Sequence, residues 1–205
     1  MSEIELIGAP RSVFVRATRL AFEEKQISYR VTSAVPHMRE VSAINPFGKI
    51  PVMRHGDFAL FESLAIIFYV DRSFAGPKLI PDDPQRAARI LQWVSAVCSS
   101  VFPATVGYMQ ANAFPAGPNG TRDASAIERF LPGVAAQIDI LDRAVADTGC
   151  LACETFTPAD MYLLPILDYL RTFPESAEML ANARALTGYF ETHAARASFR
   201  NTIPG

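Results

Sequence analysis

Half of this 205-residue chain is hydrophobic, enough to bury a real core in one or two small domains, and the composition argues against disorder. A net charge of −2 and a pI near 5.9 leave no electrostatic footprint for nucleic acid or an anionic membrane. Met1-Ser-Glu-Ile-Glu-Leu-Ile-Gly8 carries no basic segment ahead of an apolar one, and no apolar run of about 18 residues occurs, so the expectation is a soluble, cytoplasmic protein with no membrane partner.

Ile4 to Ile7 reads as a short strand ending at Gly8-Ala9-Pro10. Ser12 is a good N-cap for a helix carrying Phe14, Val15, Ala17, Leu20 and Ala21 and closing in Glu23-Glu-Lys25. Ile27 to Val31 alternates as a second strand, and His37 to Ile44 reads as a short helix or turn. Asn45-Pro46 and Gly48 then punctuate a loop. Pro51, after β-branched Ile50, cannot donate a ladder hydrogen bond, so it marks the first residue of a strand or an edge, and it is a candidate cis peptide. Val52-Met53 and Phe58 to Phe61, joined through His55-Gly56-Asp57, form an antiparallel hairpin. An apolar, largely buried helix follows from Leu64 to about Asp71, with Ser63 as its N-cap. Its amides favour an anion, so Glu62 and Ser63 suit either a zwitterionic ligand, such as an amino acid's ammonium and carboxylate, or ordinary capping. This βαβ-α-ββα order fits a thioredoxin-like α/β domain over 1–75.

Residues 74–84 concentrate Pro and Gly and divide unlike halves, giving a linker at 76–84 and an all-helical domain over 85–205. A helix is expected from Gln85 to about Asn112, bent at Pro103, and a loop from Phe114 to Thr121. A second helix from Asp123 to Ala146 aligns Ile127, Leu131, Val134, Ile138, Leu141 and Val145 in one stripe, with a kink at Pro132, and should pair antiparallel with the first. Thr157-Pro-Ala-Asp160 has the form of a capping box with Pro at the first helical position and Phe156 set to staple Met161. Met161, Leu163, Leu164, Ile166, Leu167 and Leu170 make the helix it opens central.

Three cysteines, an odd number, argue against a disulfide framework, and Cys150-Leu-Ala-Cys153 follows Thr148-Gly149 rather than a strand, so it reads as structural or incidental. His37, His55 and His193 lack carboxylate or cysteine partners at ligand spacing, so no metal site is expected.

The run Asn45-Pro-Phe-Gly-Lys-Ile-Pro-Val52, with Leu60-Phe-Glu-Ser-Leu-Ala-Ile66, resembles the glutathione-binding signature of the soluble glutathione transferases, most closely the phi-like and related bacterial groups. The Thr157 box is similar to the one that opens the core helix of that family's helical domain, and Gly188 to Thr202 looks like its closing helix, so the resemblance covers nearly the whole chain. It implies an N-terminal thioredoxin-like domain followed by an all-α domain, glutathione as co-substrate, and a homodimer. The backbone of Ile50 before a cis Pro51 would pair with the cysteinyl part of glutathione. Glu62 and Ser63 would hold the γ-glutamyl end, and His37 and Lys49 would supply cationic contacts to its carboxylates.

A glutathione thiol has a pKa of about 8.5 and reacts as the thiolate, so an activating enzyme must stabilise sulfur anion near neutral pH. A hydroxyl donating to sulfur at a helix N-terminus could lower that pKa by about two units, or about 2.7 kcal/mol. Ser12-Val-Phe14, followed by Arg19-Leu-Ala-Phe-Glu-Glu-Lys25, is similar to the serine-type pattern of the family, which makes Ser12 the expected catalytic hydroxyl. Arg11 before it departs from that pattern, and Arg16 one turn on either adds positive field or is solvated. No cysteine opens this helix, which disfavours thiol transfer through a mixed disulfide. A hydrophobic electrophile would be bordered by Val13, Phe14, Phe47, Phe102 and Tyr108, with Ser99 and Pro103 nearby; Phe102 and Tyr108 also fit simple core packing. The expected reaction is conjugation. Isomerisation, dehalogenation, or disulfide or peroxide reduction on the same site, and a non-catalytic interaction role, are the alternatives.

Overall fold

The structure is a computed structural model and describes residues 3–114 and 121–204; most of the expected loop at Phe114–Thr121 lies outside the described residues. The chain forms two compact units. One runs to Ala87 and takes back the chain from Ala195 onward; the other is Ala88–Ala194. The expected assignment of everything after 85 to the helical half is therefore corrected at its end. The reason is polar: Arg196, Ser198 and Asn201 find their hydrogen-bond partners on the first helix.

In the first unit the order is β1 (Ile4–Ile7), α1 (Val13–Glu24), β2 (Tyr29–Thr32), α2 (Arg39–Ser42), β3 (Val52–His55), β4 (Phe58–Phe61) and α3 (Ser63–Ser73). The sheet runs β2-β1-β3-β4, with β1 and β2 parallel and the other pairs antiparallel. Strand alternation divides the core into two faces. Ile4, Leu6 and Met53 pack with Val15 and Phe22 of α1 and Ile66 and Val70 of α3. Ile7 and Val52 turn the other way, onto Ala34 and Val41. Each such burial removes about 1.5–3 kcal/mol worth of apolar side chain from water.

The chain leaving α3 is tied down by a buried ion pair. Asp71 accepts the amides of Leu79 and Ile80 at 2.8 and 3.1 Å and faces Lys25 Nζ at 3.4 Å. The two side chains are 0 % and 1 % exposed, so the pair is affordable only because these additional donors complete it.

The second unit contains most of α4 (Pro84–Ala96), then α5 (Phe102–Ala113), α6 (Ala124–Val145), α7 (Pro158–Leu170), α8 (Pro174–Asn182) and α9 (Arg184–Ala194). The short α10 (Ala197–Arg200) belongs to the first unit. The bend expected at Pro103 takes the form of a wide, π-type turn at Val97–Val101, in which the Phe102 amide bonds the Val97 carbonyl. Proline lacks an N–H and its ring crowds the carbonyl four residues back, so the preceding turn widens. By length and composition alone the run Pro84–Ala113 would pass for a membrane span. Within it Val97, Val101, Thr105 and Tyr108 are buried. The capping box forms as expected: Asp160 Oδ2 accepts from the Thr157 amide at 2.8 Å, and α7 is buried almost throughout.

Candidate active site

Strand register determines which loops meet. Ile7 pairs with Thr32 on one side and with Val52 on the other, and Val52 pairs with Phe61. This row lies at one end of the sheet. The segment entering α1, the segment after β2, the segment entering β3 and the segment leaving β4 all emerge there. Consequently Ser12, His37, Ile50-Pro51 and Glu62-Ser63, spread over more than fifty positions of sequence, leave the sheet at the same edge.

The β3 approach is the most constrained part. Ile50-Pro51 is a cis peptide. Asn45, 1 % exposed, staples the loop before it: its Nδ2 donates to the Lys49 carbonyl at 2.9 Å, and its Oδ1 accepts from the Phe47 amide at 3.0 Å. In the sequence Asn45 reads as loop punctuation only. Its buried amide is what holds the backbone leading into Ile50. Gly48, at φ +64°, has no room for a side chain, since a Cβ would lie 2.2 Å from His37 Nδ1. His37 itself sits at φ +68° with its amide bonded to the Gly48 carbonyl at 2.8 Å, and its ring is exposed. Lys49 is exposed and Ile50 half-buried.

At the start of α3 the structure corrects the expected cap. Glu62, not Ser63, is the N-cap residue; Ser63 is already the first helical position and is buried. Glu62 stands at φ +69°, ψ 113°, and its exposed side chain caps nothing. A non-glycine residue in such a region costs about 1–3 kcal/mol and persists where its surroundings over-determine it, commonly at functional sites. The carboxylate is thus held outward beside the amides of a helix start.

Ser12 caps α1 as expected, accepting from the Val15 amide at a long 3.5 Å. That bond occupies a lone pair and leaves the hydroxyl hydrogen for an outside acceptor. Arg16 is neither solvated nor at the rim: it is 0 % exposed, with its guanidinium 5.3 Å from the Phe199 ring centroid.

The apolar residues expected around an electrophile divide. Val13 is buried and Phe14 half-buried at the start of α1, while Phe47 is 65 % exposed with its ring against Phe61. In the second unit Phe102 is half-buried. Tyr108 is fully buried: its hydroxyl donates to Glu175 at 3.1 Å and accepts from the Ser176 amide at 3.2 Å, and its ring packs on Phe173. It presents no surface to a ligand, so the core-packing alternative holds for Tyr108.

Two family descriptions match the chain, the glutathione S-transferase N-terminal domain over residues 6–78 and the glutathione S-transferase C-terminal domain over residues 102–197. The chain is similar to glutathione S-transferase 3 of Zea mays, 29 % identical over 99 % of this chain and 94 % of that one. It is also similar to glutathione S-transferase F14 of Arabidopsis thaliana, 28 % identical over 63 % of this chain but only 52 % of that one. Among solved structures it resembles a glutathione S-transferase of Methylobacillus flagellatus with glutathione bound, at 26 % identity and a TM-score of 0.80, covering 99 % of this chain and 100 % of that one.

Proposed function

The chain belongs to the glutathione S-transferase family, both of whose domains it carries, and we propose that it conjugates glutathione to a hydrophobic electrophile in the cytoplasm through a thiolate held by Ser12. The observation that carries this reading is the shared sheet edge, where a capping hydroxyl, the backbone entering β3 and an outward carboxylate at a helix start emerge together.

In this reading the backbone of Ile50 pairs with the cysteinyl residue, Glu62 with the γ-glutamyl ammonium, and Ser63 with the γ-glutamyl carboxylate at the positive end of α3. His37 and Lys49, exposed beside Gly48, meet the glycyl carboxylate. The thiol gives its proton to solvent as the Ser12 hydroxyl donates to the sulfur. The thiolate then attacks the electrophilic carbon, forming an S–C bond as a leaving group departs with the displaced electron pair. Val13, Phe14 and Phe47 of the first unit remain apolar residues assigned to the electrophile. A homodimer completes the reading, supported by the exposed rings of Phe58 and Phe68; a monomeric mass in sedimentation equilibrium would remove it.

The test is Ser12→Ala against wild type, measured as retention on immobilised glutathione and as conjugation of a reactive aryl halide. Removing one donor to a developing or resident anion costs about 10²-fold in rate, while retention persists. If wild type neither binds nor conjugates, the proposed function fails. If Ser12→Ala keeps the full rate, the assignment of the hydroxyl fails alone.

A further inference from the structure

Helix α1 packs by two chemically unlike faces. Val15, Leu20 and Phe22 are buried apolar residues, and an apolar contact resists separation far better than it resists rotation or sliding. The other stripe, Arg16, Arg19, Glu23 and Glu24, is met by the returning C-terminal segment through directional bonds. Arg196 grips Glu24 with a two-pronged fork at 2.9 and 2.7 Å, and Ser198 donates to the same carboxylate. Asn201 Nδ2 donates to Glu23 at 2.8 Å. In return, Arg19 donates to the Asn201 carbonyl at 2.6 Å and to the Thr202 carbonyl at 3.3 Å. Phe199 lies beneath the Arg16 guanidinium. Through Arg19 and Glu23 the same network reaches the Tyr29 hydroxyl on β2, at 3.3 and 2.8 Å, and so ties the helix to the sheet.

The contacts made by residues 196–202 join positions 172 to 183 apart, and they form where the proposed chemistry would not require them. Their geometric effect is specific. A 12-residue helix is a rod about 18 Å long, and fixing several points on one stripe sets its rotation and its axial position. Ser12 sits at the other end of that rod, one turn from Arg16; its backbone is bonded to the Ala9 carbonyl and the Arg16 amide, each at 2.9 Å, so its placement follows that of the helix, while its hydroxyl accepts only a long cap bond from Val15.

We propose that residues 196–202 form a positioning strap that sets the rotation and axial placement of α1, and thereby the direction in which the Ser12 hydroxyl meets the glutathione sulfur, with Glu24 and Arg196 as its principal positioning residues. The inference rests on the assignment of thiol activation to Ser12. A displacement of about 1 Å at a reacting group can cost about 10²-fold in rate, so a partly released strap should cost about tenfold.

The experiment uses the full chain as wild type, Arg196→Ala, the charge-swapped double variant Glu24→Arg with Arg196→Glu, the milder Ser198→Ala, and Ser12→Ala. For each, the pH profile of kcat/KM for aryl halide conjugation, the near-ultraviolet absorbance of the bound thiolate, the KM for glutathione and the melting temperature are recorded. Arg196→Ala should move the acid limb to higher pH and lower the rate about tenfold on that limb, with KM for glutathione within about twofold, and the swapped pair should recover most of the loss. If Arg196→Ala does not fold, Ser198→Ala must show the same shift in smaller degree. Strap variants that melt lower but leave the acid limb and the thiolate absorbance unmoved overturn the proposal. Should Ser12→Ala also leave the limb unmoved, the Ser12 assignment falls and the strap with it; should only Ser12→Ala move it, the strap alone falls.

Discussion

Two helix starts in this protein carry the same kinds of group and use them in opposite ways. At α7 a hydroxyl and a carboxylate close on one another: Thr157 and Asp160 are 2 % and 0 % exposed, and Asp160 also accepts from the Leu151 amide at 2.7 Å and the Tyr189 hydroxyl at 3.2 Å. At α3 the Glu62 carboxylate caps no amide of its own helix, and Glu62 is held in a backbone region that a side chain rarely adopts. A helix start whose donors are all satisfied stabilises a fold. One whose carboxylate is held outward leaves that group available to a partner from outside the chain.

The comparison breaks first at α7. Burial pushes the Asp160 carboxyl up, and the amides of Leu151 and Thr157 pull it back. Asp160→Ala strands two amides and two hydroxyls in a site without water access, each orphan costing about 1–3 kcal/mol, so a loss of about 3–5 kcal/mol is expected in urea denaturation. A loss below about 1 kcal/mol would mean that the closed start is not structural, and the contrast would collapse.

At α3 the expected signature is reversed. Glu62→Ala and Glu62→Gly both remove the carboxylate, and both should weaken glutathione binding by about 10²-fold, the worth of one charge-assisted hydrogen bond. They should differ in stability, because glycine accepts φ +69° without steric cost and alanine does not. The Gly variant should be more stable than the Ala variant by about 1 kcal/mol in the same denaturation assay. Equal stabilities would show that the outlier stores no strain; full affinity in either variant would remove the γ-glutamyl role.

What the sequence could show follows from the range of each cause. Strand alternation, the hairpin turn, the cis-capable proline and the Thr157 box are local, and each is legible within a few residues. The place of Glu62 rather than Ser63 as N-cap was not, because serine is the better cap by propensity and nothing local to the sequence announces a glutamate at φ +69°. Asn45 has an ordinary loop identity until the fold buries it against the Lys49 carbonyl. Tyr108 lies on an apolar helix and became core once its hydroxyl found Glu175 and Ser176. The C-terminal strap is the furthest from legible: Arg196 and Glu24 have no sequence relation until two units of chain have folded between them.

A third helix start offers the smallest test, and it is intermediate in kind. Glu175 in the first turn of α8 is closed, like Asp160, by partners within its own unit, yet its side chain is 32 % exposed. Arg122 donates to it at 2.7 Å and holds its carboxyl below the usual carboxylate range, with the Tyr108 hydroxyl adding to the effect. A carboxyl whose folded pKa lies below its unfolded value contributes stability above the unfolded value and loses it as pH falls through the folded one. Wild type should therefore exceed Glu175→Gln in stability at neutral pH, and the two should converge as pH drops below the ordinary carboxylate range. Solvent screening at so exposed a pair limits the difference to about 0.5–1 kcal/mol, smaller still in high salt. Denaturation midpoints of the two proteins from neutral pH downward measure it. A difference that grew on acidification would mean the carboxyl is held up rather than down, and that exposure, not closure, governs this helix start.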